Sequence, residues 1–549
     1  MVTSDHQDCT VIAPEGTPAG LLDAFWRYDR ALLADDRPTL DALFMPGPHT
    51  LRGDGRGLLV GHEAISGFRA ARARVPTRRV VELHVRPLGG DAALLVARTR
   101  DGQAYGLQTQ VWQRTVPGGW RVSAAHVTLP VPPSGAGAPP PAAEASPSPA
   151  GTPAASVPFD RSIWRAVGDP LVAATSPGPL DGLGIAVKDL FAVAGQPIGA
   201  GVAAWLAEQR PQTGTAPAPA ALLDAGAHIV GIARTDEFAY SLAGANAHYG
   251  TPPNPAAPDR VSGGSTSGAA SAVALGQAAV GLGTDTAGSI RVPASYQGLV
   301  GLRSTHGAIG TDGLLPLARS FDAVGWLTRD VPTSMAVARV LLGGSGGGAP
   351  AERTVRLPTV EALAAPQVAE AFSAAVERAA AAGLLPPVQD VGLPRELLED
   401  WFKAFRTVQA REAWQAHGDW LTAHPGALGP DVAGRFAQAS QVGEDEAAWA
   451  RAVAAGAAAR LAEWLSGAVL ALPTAPGPAP SRTEDPRRIE AERAAILRMT
   501  CLAGLAGAPA VSLPLLRSAE GLPVGLCLLG APGTDLDLLA LAAGLETSG

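Results

Sequence analysis

Two glycine- and serine-rich loops decide how this chain folds, Ser262-Gly-Gly-Ser-Thr-Ser-Gly268 and Gly283-Thr-Asp-Thr-Ala-Gly-Ser289. The residues between them begin with AASAVALG, an alanine-rich run that predicts a helix, and end in a short apolar strand. A chain that returns by a helix and a strand can bring both loops to one edge of a sheet. We therefore expect Ser265 and Ser289 to lie close together. The loop glycines allow close backbone approach, and consecutive loop amides can bind an anion.

A third segment, GIAVKDL, is an apolar strand that ends in Lys188. The chain has 42 basic residues, of which only Lys188 and Lys403 are lysine. Lys403 lies in an amphipathic helical pattern, where a solvated lysine needs no special explanation. Arginine keeps its proton in proteins, whereas lysine can lose it when its surroundings lower its pKa. Lys188 is therefore a candidate for a role that needs a neutral amine.

These residue types point to nucleophilic catalysis by a serine. A serine hydroxyl is a poor nucleophile until a base takes its proton. None of the three segments contains a histidine, so a Ser-His-Asp arrangement has no base there. A desolvated Lys188 can serve instead, accepting the proton of Ser289 through Ser265. The oxyanion of a tetrahedral intermediate needs backbone donors, which Thr286, Ala287, Gly288 and Ser289 can offer.

The three segments resemble the amidase-signature family. The resemblance is carried by GIAVKDL, SGGSTSGAASAVALG and GLGTDTAGSIRVPASYQGLVGLRSTHG, and it covers most of residues 180–330. The C-terminal stretches VLALPTAPGPAP, CLAGLAGAPAVSLPL and GLPVGLCLLG fit the family as well.

The resemblance implies an α/β fold with a mixed β-sheet sandwiched by helices, and hydrolysis of carboxamides through a Ser–cis-Ser–Lys triad. It places Ser289 on the nucleophile, Ser265 on the serine that follows a cis peptide, and Lys188 on the base. The oxyanion loop of the family falls on Thr286, Ala287 and Gly288. The resemblance implies no cofactor.

The loops depart from the family pattern at one position, and they suggest two candidate substrate-binding residues. Most members have Gly-Gly-Ser where this chain has Ala287-Gly288-Ser289, and an alanine at a position that needs positive φ would be strained. Arg291 and Asp236 are candidate substrate contacts. The alternatives are a loop-shaping salt bridge between Asp285 and Arg291, and loop capping by Asp236.

The chain of 549 residues predicts two domains joined by a linker. Residues 131–157 are rich in proline, alanine, serine and glycine, as in a semi-extended linker. Residues 1–130 show helical patterns followed by alternating strands, which predicts a small α+β domain. Residues 158–549 mix short apolar strands with alanine-rich helices, which predicts an α/β domain with a mixed or largely parallel sheet.

The small domain resembles the nuclear-transport-factor-like (SnoaL-like) cone fold. It is similar to small proteins that accompany amidases in cyanurate and oxalurate breakdown. The resemblance places Tyr28 and Arg52 in a ligand pocket, where Arg52 would pair with a carboxylate. The alternative is a catalytically silent domain through which the protein forms a homodimer.

Composition excludes several partners and sites. The net charge of −8 indicates neither a nucleic acid nor an anionic membrane as partner, and no uncharged apolar stretch is long enough for a membrane span. Three separated cysteines predict a reduced, cytoplasmic protein. The ten histidines show no metal-binding spacing, so we expect no metal.

Together these features predict an amidohydrolase that cleaves a small-molecule amide and releases ammonia. The fused small domain favours a carboxylated ureide, such as an oxalurate- or carboxybiuret-like compound. The alternatives are an aryl-acetamide (indole-acetamide-like) hydrolase and the glutaminase subunit of a tRNA-dependent amidotransferase. A non-catalytic binding protein on the same scaffold is the alternative outside the enzymes.

Overall fold

The computed structural model describes residues 9–14, 17–54, 57–70, 78–88, 90–101, 104–115, 119–127, 159–344 and 351–547. The chain divides into two compact units, Met1–Gly151 and Thr152–Gly549, each with its own hydrophobic core. The linker predicted for residues 131–157 lies outside the described residues. No helix in the described part of the chain has both the length and the apolar character needed to cross a bilayer.

The N-terminal unit is α+β. Its strands are β1 (Thr10–Ile12), β2 (Leu51–Asp54), β3 (Gly57–Val60), β4 (Arg79–Pro87), β5 (Ala92–Asp101), β6 (Ala104–Thr115) and β7 (Gly119–Val127). Its helices are α1 (Leu21–Leu33), α2 (Arg37–Ala42) and α3 (His62–Ala70). The strands form one sheet in the order β1-β4-β5-β6-β7-β2-β3, with the predicted antiparallel meander at its centre. The short strands β1, β2 and β3 were not predicted from the sequence.

The C-terminal unit alternates strands and helices. Its strands are β8 (Trp164–Val172), β9 (Gly184–Lys188), β10 (His228–Ala233), β11 (Val280–Asp285), β12 (Val300–Arg303), β13 (Ala323–Thr328), β14 (Arg353–Arg356), β15 (Val388–Asp390), β16 (Ala468–Pro473), β17 (Ala510–Arg517) and β18 (Pro523–Leu529). Its helices are α4 (Ala203–Glu208), α5 (Pro217–Asp224), α6 (Ser267–Ala274), α7 (Arg291–Gln297), α8 (Val331–Leu342), α9 (Pro358–Glu361), α10 (Pro366–Ala381), α11 (Arg395–Ala423), α12 (Pro430–Ala439), α13 (Glu444–Leu465), α14 (Pro486–Ala506) and α15 (Asp535–Glu546). A single 3-10 turn spans Glu237–Ala239.

The strands of this unit form one mixed sheet in the order β15-β14-β16-β18-β17-β12-β13-β11-β9-β10-β8. Parallel pairs join β9 to β10 and β11, and β14 to β15 and β16, whereas the other neighbours are antiparallel. The mixed alternative of the prediction is therefore confirmed, and the largely parallel one is wrong. Every residue of β11, β13, β16 and β18 is buried, as in a sheet that is covered on both faces.

The parallel pairing of β9 with β11 brings the decisive segments together. In this pairing Val187 lies opposite Leu282, so Lys188, the last residue of β9, and Thr284, the penultimate residue of β11, lie at the carboxyl ends of neighbouring strands. The loop before α6 packs against β11 at Gly283. A Cβ at position 283 would come within 2.3 Å of the side chain of Thr266, so only glycine allows this approach.

We expect Gly283→Ala to destabilise the C-terminal unit by about 1–3 kcal/mol, because the added methyl group overpacks the contact between β11 and the loop before α6. The measurement is thermal unfolding of the full chain. Gly310→Ala is the matched control, since a Cβ at position 310 meets no atom within 4 Å and should leave the Tm unchanged. Equal Tm values for the two variants would contradict the close contact.

Candidate active site

Lys188 is completely buried at the end of β9. Its Nζ donates to the Oγ of Ser265 and to the Oγ1 of Thr284, each at 2.8 Å. Both partners are neutral hydroxyls, so no carboxylate forms an ion pair with the amine among the described residues. A buried cation without a paired anion is costly, which favours the neutral form of the amine.

Burial lowers the pKa of Lys188 to about 7, although the carboxylates of Asp236, Asp322 and Asp285 act in the opposite direction. A lysine in water titrates near pH 10.4. At neutral pH a substantial fraction of this amine is therefore unprotonated and able to accept a proton. This is the state in which a lysine can act as a general base.

Ser265 is also completely buried, and the peptide bond between Gly264 and Ser265 is cis. Its carbonyl accepts a hydrogen bond from the Oγ1 of Thr235 at 2.8 Å and one from the amide of Asp236 at 3.3 Å. The backbone of Ser265 is thus held from the segment that follows β10. Its side chain is left facing Lys188.

Ser289 lies on the next loop and is nearly buried, with 3% of its surface exposed. Its carbonyl accepts a hydrogen bond from the amide of Thr266 at 3.3 Å, so the two serine loops are bonded backbone to backbone. Ser289 lines a narrow cleft, whereas Ser265 and Lys188 are completely buried and do not line it. The cleft is formed by Ala239, Tyr240, Ser241, Leu242, Ala287, Ser289, Leu317, Gln409, Arg493 and Leu497.

The loop before Ser289 turns at Gly288, which has a φ of 110°. Ala287 is not among the residues with positive φ, so alanine at this position is free of the strain considered above. The amide of Gly288 donates to the Oδ1 of Asp285 at 2.9 Å. This amide is therefore engaged within the loop, which corrects the expectation that Gly288 supplies an oxyanion donor.

A buried charge cluster shapes the same loop. Asp285 accepts hydrogen bonds from the Nε and Nη2 of Arg291 at 3.0 and 2.9 Å, and it also contacts Arg303. Burial alone would raise the pKa of Asp285, but the two guanidinium groups and the amide of Gly288 hold it well below its usual range. The carboxylate is therefore charged at neutral pH.

Both substrate contacts predicted near the loops need correction. Arg291 is fully buried and faces Asp285, which agrees with the loop-shaping alternative. Asp236 is fully buried and accepts hydrogen bonds from the amide of Gly244 and the hydroxyl of Ser267, both at 3.0 Å. Neither residue lines the cleft at Ser289. Their hydrogen bonds within the protein hold the loops, although the buried Nη1 of Arg291 has no hydrogen-bond partner among the described residues.

The cleft contains four polar residues that the sequence did not single out, namely Tyr240, Ser241, Gln409 and Arg493. Tyr240 follows the 3-10 turn, Gln409 lies on α11 and Arg493 lies on α14. In the sequence, Gln409 and Arg493 have the appearance of ordinary polar positions on amphipathic helices. Only a prediction of which helix faces meet over Ser289 could have identified them.

In the N-terminal unit, Tyr28 lies in the core against Phe44 and Trp112. The guanidinium of Arg52 lies over the ring of Phe68, 4.3 Å from its centre. The ligand-binding role of Tyr28 and Arg52 stays a prediction. No group of three or more histidine, cysteine or acidic side chains suited to a metal occurs in the described residues of either unit.

Comparisons with known proteins identify relatives of both units. The Amidase family model matches residues 161–539, and the AtzH-like family model matches residues 11–131. Amidase 1 of Arabidopsis thaliana is 35% identical over 416 residues, which cover 70% of this chain and 98% of that protein. The 2-amino-5-chloromuconic acid deaminase of Comamonas testosteroni is 37% identical over 405 residues, covering 70% of this chain and 86% of that protein.

A solved structure described as an amidase has a TM-score of 0.62 at 31% identity and covers 71% of this chain and 92% of its own. These matches confirm the resemblance and the fold class predicted from the sequence.

The pKa of Lys188 predicts how the reaction depends on pH. Below pH 7 the amine is protonated and cannot accept the serine proton, so kcat/KM should rise tenfold per pH unit and level off above about pH 7. Lys188→Met keeps the volume and removes the base, and we expect a loss of at least about 10²–10⁴-fold in kcat. An unchanged pH profile in Lys188→Met, with activity retained, would contradict this assignment.

Removing the charge of Asp285 should strongly destabilise the protein. Asp285→Asn leaves two buried guanidinium groups without their carboxylate, and breaking a buried ion pair costs about 3–5 kcal/mol. Chemical denaturation measures the loss. In the control, Glu520→Gln removes the exposed partner of Arg260 and should cost about 1 kcal/mol or less. A similar cost for both variants would show that the cluster does not stabilise the loop.

Proposed function

This chain belongs to the Amidase family and is a hydrolase of amide C–N bonds, and we propose that it acts through an acyl-enzyme formed on Ser289. The observation that carries the proposal is the buried contact of 2.8 Å between the Nζ of Lys188 and the Oγ of Ser265. In the proposal, the hydroxyl of Ser265 relays the proton of Ser289, and the amine of Lys188 is the base that accepts it.

In the proposed reaction the Oγ of Ser289 attacks the carbonyl carbon of the amide. The proton of Ser289 passes to Ser265, whose own proton passes to the neutral amine of Lys188. Collapse of the tetrahedral intermediate breaks the C–N bond, and the proton returns by the same route to the leaving nitrogen, which departs as ammonia. Water then attacks the acyl-enzyme with Lys188 again as the base, and the carboxylic acid is released.

The oxyanion of each tetrahedral intermediate requires preorganised donors. The amide of Gly288 is bonded to Asp285, so we assign this role to the amides of Thr286, Ala287 and Ser289. The hydroxyl of Thr286 donates to the carboxylate of Asp322 at 2.6 Å, and this bond fixes the start of the donor loop. Rigid donors stabilise the developing charge without reorganising during the reaction.

For the substrate we propose a small carboxamide or carboxylated ureide, such as an oxalurate- or carboxybiuret-like compound. The narrowness of the cleft and the fused AtzH-like unit support a small substrate. One relative is named a deaminase of 2-amino-5-chloromuconic acid, which is a carboxylic acid, and this name also supports a carboxylated substrate.

An aryl-acetamide is the alternative substrate, and a glutaminase subunit of a tRNA-dependent amidotransferase is the alternative role. The cytoplasmic location, the homodimer through the N-terminal unit, and the absence of a cofactor, a nucleic-acid partner and a membrane partner stay predictions.

A fluorophosphonate probe tests the nucleophile directly. We expect the probe to label Ser289, and we expect the Ser289→Ala variant to lose both labelling and ammonia release, because the attacking oxygen is gone. Ser440→Ala removes a serine that directly follows α12, away from the residues of the cleft, and should retain both. Peptide mass spectrometry locates the label, and ammonia is measured with oxalurate, indole-3-acetamide and glutamine. Labelling of another serine, or no ammonia from any amide, would overturn the proposal.

A further inference from the structure

The cleft at Ser289 adjoins a larger pocket of about 490 Å³ that lies between α11, α12 and α14. Tyr240, Gln409 and Arg493 line both the cleft and this pocket, so they stand where the two meet. A substrate that reaches Ser289 from the larger pocket passes these three side chains. Among the residues that line the cleft, only Arg493 carries a charge.

Arg493 is a largely buried cation whose charge is only weakly balanced by nearby carboxylates. Its side chain is 12% exposed, and its ion-pair partner Glu490, at 3.1 Å, is 58% exposed and therefore well solvated. Its buried Nε has no hydrogen-bond partner among the described residues. Burial, together with the nearby charges of Arg435 and Arg406, lowers the pKa of Arg493 to about 10. A guanidinium N–H group that is buried without an acceptor costs free energy, and a bound anion would remove that cost by accepting its hydrogen bond.

Arg406 and Arg435 line the same pocket and increase its positive charge. The guanidinium of Arg406 lies over the ring of Phe402 at 5.4 Å, and the Nη1 of Arg435 donates to the carbonyl of Tyr240 at 2.9 Å. Neither forms an ion pair with a described residue. Arg493 therefore stands at the junction, and Arg406 and Arg435 add positive charge in the adjoining pocket, so a negative group bound beside Arg493 would reduce the repulsion between like charges.

The carboxylates of the larger pocket do not neutralise this junction. Glu399 forms a two-bond ion pair with Arg498, at 2.8 and 2.7 Å. Asp400 and Glu446 line the larger pocket but not the cleft at Ser289. In addition, Tyr240 and Gln409 offer a hydroxyl and an amide at the junction, which can donate to an oxygen anion.

We propose that the substrate of this enzyme is an amide that carries a carboxylate, and that Arg493, assisted by Arg406 and Arg435, binds this carboxylate while Ser289 attacks the amide. The inference rests on the proposed function and adds the residues that select the substrate. A guanidinium pairs with a carboxylate through two parallel hydrogen bonds, and such bonds are strong in a desolvated site. An uncharged aryl-acetamide would leave the guanidinium of Arg493 with only its solvated partner Glu490, so the structure disfavours that alternative.

Matched pairs of amides test the inference. Malonamate and succinamate each carry one amide and one carboxylate, and their diamides malonamide and succinamide are close neutral counterparts. We expect the wild-type enzyme to prefer the carboxylated member of at least one pair in kcat/KM. In Arg493→Gln this preference should fall by about 10- to 100-fold, the range expected for lost hydrogen bonds to a charged group. Arg406→Gln and Arg435→Gln should reduce the preference less.

Arg488→Gln is the control, because Arg488 lies on the same helix with 77% of its side chain exposed. This variant should retain the wild-type activity and preference. A wild-type enzyme that favours the diamides, or an Arg493→Gln variant with an unchanged preference, would overturn the inference.

A binding measurement separates this inference from the proposed mechanism. Isothermal titration of Ser289→Ala with malonamate and succinamate should show binding that is lost when Arg493→Gln is added to the same chain. Binding that depends on Arg493 would support the inference even if no amide were hydrolysed. Fluorophosphonate labelling of Ser289 together with binding that is indifferent to Arg493 would refute the inference and leave the proposed mechanism standing.

Discussion

The site depends on one physical constraint, which is that the amine of Lys188 has no access to water and no carboxylate bonded to it. Hydroxyl groups of Ser265 and Thr284 are its partners at 2.8 Å, and they can accommodate either a neutral or a charged amine. A carboxylate at either position would hold the proton on the lysine and remove the base. The surrounding structure serves this arrangement, because the parallel pairing of β9 with β11 and the close approach at Gly283 bring the two hydroxyls to the amine.

The charges of the C-terminal unit fall into two kinds. Asp285, Arg291 and Arg303 are fully buried, compensate one another and hold the loop that carries Ser289. Arg493, by contrast, lines the cleft, and its one ion-pair partner, Glu490, is well solvated. A paired buried charge maintains a loop conformation, whereas an under-compensated one is available to a ligand. This difference distinguishes the arginine that shapes the site from the arginine that we assign to the substrate.

The strands with a strong local pattern were predicted well from the sequence, and those that depend on distant partners were not. The apolar run that ends in Lys188 is a strand, Gly184–Lys188, as predicted. The strand Ala323–Thr328 was missed, although it joins β11 to β12 at the centre of the sheet. Its residues AVGWLT give no clear alternation, since both faces of the strand are covered and every side chain is buried. The expected substrate contacts of Arg291 and Asp236 failed for a related reason, because sequence proximity to a catalytic loop does not show which way a side chain faces.

By itself the sequence determined the family, the division into an AtzH-like and an Amidase region, and which two serines and which lysine to consider. It could do so because short glycine- and serine-rich loops impose local backbone geometry, and that geometry demands particular residues in a fixed order. Only the tertiary structure decided which of the polar groups are satisfied inside the protein and which face the cleft. That distinction depends on burial and on partners far away in the chain, such as α11 and α14, which both line the cleft at Ser289, and no local pattern encodes it.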